Sequence, residues 1–191
     1  MSCMIGVIIK VLTNMIEDLT DKQTLVLIYE KAGVESGKAY SINQPYADEE
    51  WQRLFKTTLE VMSLTEEQAY TAYADEFVRY AEGLFPVWFT IAKSSKDFLL
   101  LQPKIHNSFS SGLVDAASRK KVNDKFSVME DGDDLIVHYC SPNKHCRLYM
   151  KLAQRMATRY GDKLEIDEES CMETGADKCV MRVHWISIGS C

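Results

Sequence analysis

FSVMEDGDDLIVHY, residues 126–139, is the point at which the chain changes its period. Phe126-Ser127-Val128-Met129 and Leu135-Ile136-Val137-His138-Tyr139 are runs rich in branched and aromatic side chains, and Glu130-Asp131-Gly132-Asp133 between them contains an Asp-Gly pair that tolerates the positive φ of a tight turn. That pattern predicts a β-hairpin. Upstream, apolar residues recur at helical spacing. Ile5, Ile8, Ile9, Leu12, Met15, Ile16 and Leu19 form one amphipathic face, interrupted by Thr20-Asp21. A second helix, capped by Thr20 or Asp21, carries Leu25, Ile28 and Tyr29 and stops near Gly33. After a loop over 37–45, Asp48-Glu49-Glu50 places negative charge in the first turn of a helix bearing Trp51, Leu54, Phe55, Thr58 and Met62.

Thr65-Glu66-Glu67-Gln68 fits a capping box for the next helix, and Pro86 forces a break after it. A further helix beginning near Ser95 or Lys96 bears Phe98, Leu99, Leu101, Ile105, His106 and Phe109, with Pro103 inside it or at its start. Downstream of the hairpin a helix is expected from about Cys146 to Tyr160, ended by Gly161, and then strands at 163–167 and 179–185 around the turn 173–177. The fold class is α+β: helices first, then a small antiparallel sheet that carries one more helix.

The chain has 191 residues, of which 46% are hydrophobic and 26% charged, enough to bury one sizeable core and incompatible with a disordered tail. Its net charge of −6 opposes a phosphate backbone, and the longest basic run, Arg119-Lys120-Lys121, reads as a solvated loop or helix end; no nucleic-acid partner is expected. The apolar run Met4 to Leu12 is too short to span a bilayer, is interrupted by Lys10 and precedes no small-residue cleavage site. A cytoplasmic protein with reduced thiols is the expectation.

No phosphate-cradling glycine loop, GxSxG elbow, HExxH helix or catalytic carboxylate pair is present, so no enzyme activity is expected. Four histidines remain, at 106, 138, 145 and 184. His138 and His184 fall in strands and read as surface or satisfied interior side chains. His106 ends an apolar helical run, and an imidazole facing an apolar cavity is a competent axial ligand for haem iron; the alternative is a core histidine. Six cysteines stand at 3, 140, 146, 171, 179 and 191. Cys171 and Cys179 flank a predicted turn, with Cys146 or Cys140 near enough to join them. Such a group suits tetrahedral zinc, at about 2.3 Å from sulfur, or is simply a set of buried, unliganded thiols.

Met4-Ile5-Gly6-Val7-Ile8, Phe98-Leu99-x5-Ile105-His106, Tyr139-x-Ser141-Pro142 and Ser170-Cys171-Met172-Glu173-Thr174-Gly175-Ala176-Asp177-Lys178-Cys179 resemble, in order and spacing, the H-NOX family. These are haem nitric oxide/oxygen binding domains related to the haem domain of soluble guanylate cyclase, and the CMxTGADxC segment is specific for the stand-alone bacterial members. The resemblance implies one domain over 1–191, with a helical lobe to about residue 85 and a haem-pocket α/β lobe over about 86–191, enclosing haem b.

His106 then matches the proximal ligand, and Tyr139 and Ser141 the first two propionate contacts of a YxSxR motif, while Ile8 and Leu148 line the pocket. The third motif position holds Asn143 where the family has arginine, and an amide cannot replace a bidentate, charged guanidinium. A second, gapless register would put Ser110 or Ser111 under the iron, and serine is no haem ligand. The family's oxygen binders carry a tyrosine where Leu148 stands, with Tyr149 turned about 100° away on the helix.

The resemblance therefore implies a nitric oxide sensor with weak O2 binding. NO would loosen the bond from a ferrous haem to His106 and shift a conformational balance read by a separate partner, a histidine kinase or a cyclic-di-GMP enzyme. In some bacterial relatives the cysteines bind zinc. Cys146, Cys171 and Cys179 match those positions, and since the usual fourth ligand falls at Leu148, Cys140 or His145 would substitute. The alternative function is a haem-free interaction module signalling through that cysteine/zinc redox site or through partner contacts.

Overall fold

The computed structural model describes residues 3–111, 116–141 and 143–189, so Pro142 of the quoted motif lies outside the described residues. A short strand β1 (Cys3–Ile5) leads into helix α1 (Gly6–Leu19). Gly6 is required at that junction: a Cβ there would lie 2.1 Å from the Ser41 carbonyl oxygen, because the 41–46 loop crosses the helix start. Helix α2 (Lys22–Lys31) is capped by Asp21, whose carboxylate accepts from the Thr24 amide at 2.7 Å. The expected loop then gives way to strand β2 (Pro45–Ala47), which pairs antiparallel with β1. Neither strand was foreseen, since three residues are too few to show alternation.

Helix α3 (Asp48–Met62) follows directly, and α4 (Glu66–Leu84) starts on the complete Thr65/Gln68 capping box. Pro86 ends one helix and opens another, occupying the first turn of α5 (Pro86–Ile91), where its missing amide hydrogen costs nothing. Helix α6 (Ser95–Ser111) runs through Pro103, and α7 (Ala116–Asn123) takes in the basic run as part of a helix that apolar periodicity could not reveal.

The hairpin is strands β3 (Phe126–Asp131) and β4 (Asp134–Tyr139), paired from Phe126 with Tyr139 to Asp131 with Asp134. The turn is tighter than the sequence suggested, with Gly132 at φ 62°. Helix α8 (Cys146–Tyr160), ended by left-handed Gly161, and strands β5 (Lys163–Ser170) and β6 (Cys179–Ser187) complete a four-stranded antiparallel sheet of order β3-β4-β6-β5.

Alternation along β4 and β6 turns Leu135, Val137, Tyr139, Cys179, Met181 and Val183 onto one face, where they pack with Leu99 of α6 and Cys146, Tyr149 and Ala153 of α8. A second core joins α1 to α4 through Ile9, Leu12, Ile16, Ile28, Trp51, Leu54 and Tyr73. Each aliphatic side chain sealed there stabilises the fold by about 1.5–3 kcal/mol. Val78, Phe89, Phe98 and Met156 form a third, smaller core between α4, α5, α6 and α8. Helix α8 contributes to all three: Leu148 to the helical core, Tyr149 to the sheet core and Met156 to the third. Along its outer side Lys151, Arg155 and Arg159 pair with Glu67, Asp75 and Glu82 of α4. Among the described residues no helix is long and apolar enough to cross a membrane.

Candidate functional site

Where the cores meet they leave a cavity of about 200 Å³. The end of β1 and the start of α1 line it with Ile5, Val7 and Ile8, α4 with Phe77 and Ala81, and α8 with Leu148, Leu152 and Met156. Phe85, Trp88 and Phe89 come from α5 and the residue before it. Helix α6 turns Phe98, Leu99, Gln102, Ile105 and His106 toward the cavity, positions spaced so that one helical face is presented. The other polar lining is gathered in one stretch of chain plus one residue from afar: Tyr139, Ser141, Asn143 and His145, with Lys125 beside the base of β3.

His106 is half-buried and meets Phe126 edge-on, with ring centroids 4.7 Å apart. The serines of the alternative register lie elsewhere. Ser110 is buried and donates to the Asn107 carbonyl at 3.0 Å and to Asn123 Oδ1 of α7 at 2.8 Å, while Ser111 is exposed and bonds the Ser108 carbonyl. Neither lines the cavity.

Leu148 and Tyr149 both reach the cavity, contrary to the expectation that Tyr149 turns away; they do so from different cores, because adjacent helical positions flank the same opening. The Tyr149 hydroxyl donates to Gln102 Oε1 at 3.1 Å, one turn before His106 on α6. Gln102 was not foreseen, although its spacing of four from His106 on a predicted helix could have found it.

At the polar end the Tyr139 hydroxyl accepts from the His145 amide at 3.2 Å, and burial pushes its pKa up to about 12. Burial and then the positive charge of Lys125 lower the His145 imidazole to about 4, against the opposing pull of Asp48, so it is neutral. Its ring lies 4.3 Å from that of Trp51. Asn143 Oδ1 accepts from Gln52 Nε2 at 3.2 Å, but its Nδ2 and the His145 Nε2 are buried with no hydrogen-bond partner. A buried polar atom left so costs about 1–3 kcal/mol.

A haem asks for an imidazole at its iron, apolar walls for its ring and donors for two carboxylates. This donor set fits: His106 would be the imidazole, the walls are aliphatic and aromatic, and the Asn143 amide nitrogen, with the His145 Nε2 in its protonated tautomer, lacks an acceptor.

The cysteines form a separate cluster behind the start of α8. The sulfurs of Cys146, Cys171 and Cys179 all lie within 4.8 Å of one another, and Cys146 and Cys171 are 3.6 Å apart. Burial holds the Cys146 and Cys179 thiols above their usual range. Cys140 does not join them; it is exposed, and its thiol faces the Asp177 carbonyl. The remaining histidines are outside both places: His138 lies near Lys178, and His184 bridges Asp134 and Asp167 on the outer sheet face.

The haem-NO-binding family model matches residues 5–168. Among solved structures, an H-NOX protein from S. oneidensis in the Fe(II)NO state superimposes with a TM-score of 0.76 at 16% identity, over 96% of this chain and all of that one. A mutant from the same organism in the Fe(II) state gives 0.81 at 15% identity over 98% of each chain. An oxygen-binding H-NOX domain related to soluble guanylate cyclases, in its oxygen complex, gives 0.78 at 14% identity over 97% and 96%. A search of curated protein sequences found no match.

Proposed function

The chain belongs to the haem-NO-binding family, the H-NOX domains of haem-based gas sensors, and on that premise we propose that it senses nitric oxide through a His106-ligated haem b and signals to a separate partner protein. What carries this reading is that His106 lines the cavity while Ser110 is hydrogen-bonded onto α7. When bound, the haem would supply an iron centre with a position open to a diatomic gas.

The residues do the rest. His106 offers a nitrogen from a helix that packs against α5, α7, α8 and β3, so a displacement of that helix would reach four neighbouring elements. Tyr139, Ser141 and Asn143 line the polar end, where they would hold the propionates of a bound haem, and Ile8 and Leu148 line the apolar side. The choice of gas follows from hydrogen bonding. O2 depends on a donor for retention in such sites, whereas NO does not. Ile5, Val7, Ile8, Phe77, Leu148 and Leu152 carry none, and the Tyr149 hydroxyl is engaged by Gln102. The partner expected from the family is a histidine kinase or a cyclic-di-GMP enzyme.

The absorption spectrum of the haem-reconstituted protein tests this directly. A Soret band that shifts on adding NO to the reduced protein, and that His106→Ala alters, is expected; no Soret band, or one indifferent to that substitution, overturns it.

A second reading rests on the three thiols. Cys146, Cys171 and Cys179 fit three corners of a tetrahedral zinc site, with the fourth ligand from Cys140 or His145 after local movement. Metal analysis finding about one zinc and no haem would favour a haem-free module that signals through the cysteines or through partner contacts.

A further inference from the structure

We infer that Lys125 supplies the cation at the polar end of the cavity and, together with the Asn143 amide and the His145 imidazole, forms the carboxylate-binding site that an arginine at position 143 would otherwise provide. The inference rests on the haem reading above.

It starts from Asn143. The residue lines the cavity, its side chain is buried with its oxygen taken by Gln52, and its nitrogen has no acceptor. His145 Nε2 is in the same condition two residues on. The Asn143 amide nitrogen, and the His145 Nε2 when the ring proton sits there, call for an acceptor group that enters from the cavity itself. An amide and a neutral imidazole carry no net charge, however, and Asp48, buried at the start of α3, is close enough to act on His145 electrostatically. A carboxylate arriving there would enter a buried site beside another carboxyl group, and a cation is what would offset its charge.

Lys125 is placed to do so. Its carbonyl accepts from the Cys140 amide at 3.0 Å, which fixes its backbone beside the Tyr139–Ser141 segment, and its side chain lines the cavity. Its charge is felt at His145. An ammonium on a four-carbon stem is a mobile point charge that can serve either oxygen of a carboxylate from a neighbouring strand, where an arginine would need the rigid geometry of position 143 itself. The competing account is a lysine that packs its stem on the cavity rim and turns its charge to water.

The test separates charge from packing. The full chain, free of haem, is titrated with ferric haem and with haem dimethyl ester, whose propionates carry no charge, and binding is read from the Soret band and from quenching of tryptophan fluorescence. The wild-type protein should prefer haem to its diester by about tenfold or more. Lys125→Met should lose about that factor for haem and nothing for the diester, and Asn143→Arg in the Lys125→Met background should restore the preference. If Lys125→Met leaves haem binding unchanged, or weakens haem and diester equally, the assignment is wrong. A wild-type protein that binds both alike overturns this site and leaves the haem reading standing; one that binds neither overturns both.

Discussion

The lining of the cavity divides between two sets of elements with different chemistry. Helix α6, the hairpin and the residue before it bring His106, Gln102, Tyr139 and Lys125, and α8 adds Tyr149 to them; the end of β1, the start of α1, helix α4 and the other face of α8 bring Ile5, Val7, Ile8, Phe77, Ala81, Leu148 and Leu152, whose side chains hold no nitrogen or oxygen. The first set can ligate and neutralise. The second can only exclude water. On the proposed reading, the first set would grip the haem and the second would give a gas ligand an apolar berth, so selectivity among gases would come from what the second set lacks.

Four substitutions break or sharpen that contrast, in falling order of effect. His106→Ala removes the ligating nitrogen and should abolish the native ferrous spectrum of the reconstituted protein. Leu148→Tyr puts a donor into the apolar set and should slow O2 dissociation by about 10- to 100-fold, the range of one hydrogen bond to a charged or strongly polar acceptor. Because Leu148 is buried, the added bulk should also lower stability by about 1–3 kcal/mol in denaturant unfolding. Tyr149→Phe deletes the hydroxyl bonded to Gln102 and should cost about 1 kcal/mol of stability without changing O2 dissociation; a large change in gas kinetics would show that the hydroxyl serves the ligand. Arg155→Ala removes an ion pair with Asp75 on the outer side of α8, away from the cavity, and should shift stability by less than about 1 kcal/mol, since solvent screens it.

Legibility in the sequence followed the range of the interactions. The Thr65/Gln68 box, the Pro86 break, the Asp131-Gly132 turn and the Gly161 stop are decided by residues a few positions apart and are readable in the sequence, which also narrows the cap of α2 to Thr20 or Asp21, of which Asp21 serves. Strands β1 and β2 were not, because their pairing joins Cys3 to Ala47 across 44 residues and neither has length enough to alternate. Helix α7 escaped for a related reason: AASRKKVN has no apolar period, and Asn123 ties that helix back to α6 through Ser110 and Asn107.

The site divides in the same way. The family resemblance singled out His106, the Tyr139–Ser141 pair and the departure at Asn143 from their motifs and spacing, and all four residues line the cavity. Which serine or histidine of α6 lines the cavity was decided by the turn of the helix against α7 and β3. That Cys140 stands apart from Cys146, Cys171 and Cys179, and that Lys125 lies at the same end of the cavity as Asn143, was decided by strand pairing between β3, β4 and β6. Local sequence sets which backbone a segment prefers, but only the packing of distant segments decides which side chains share one small, water-poor space.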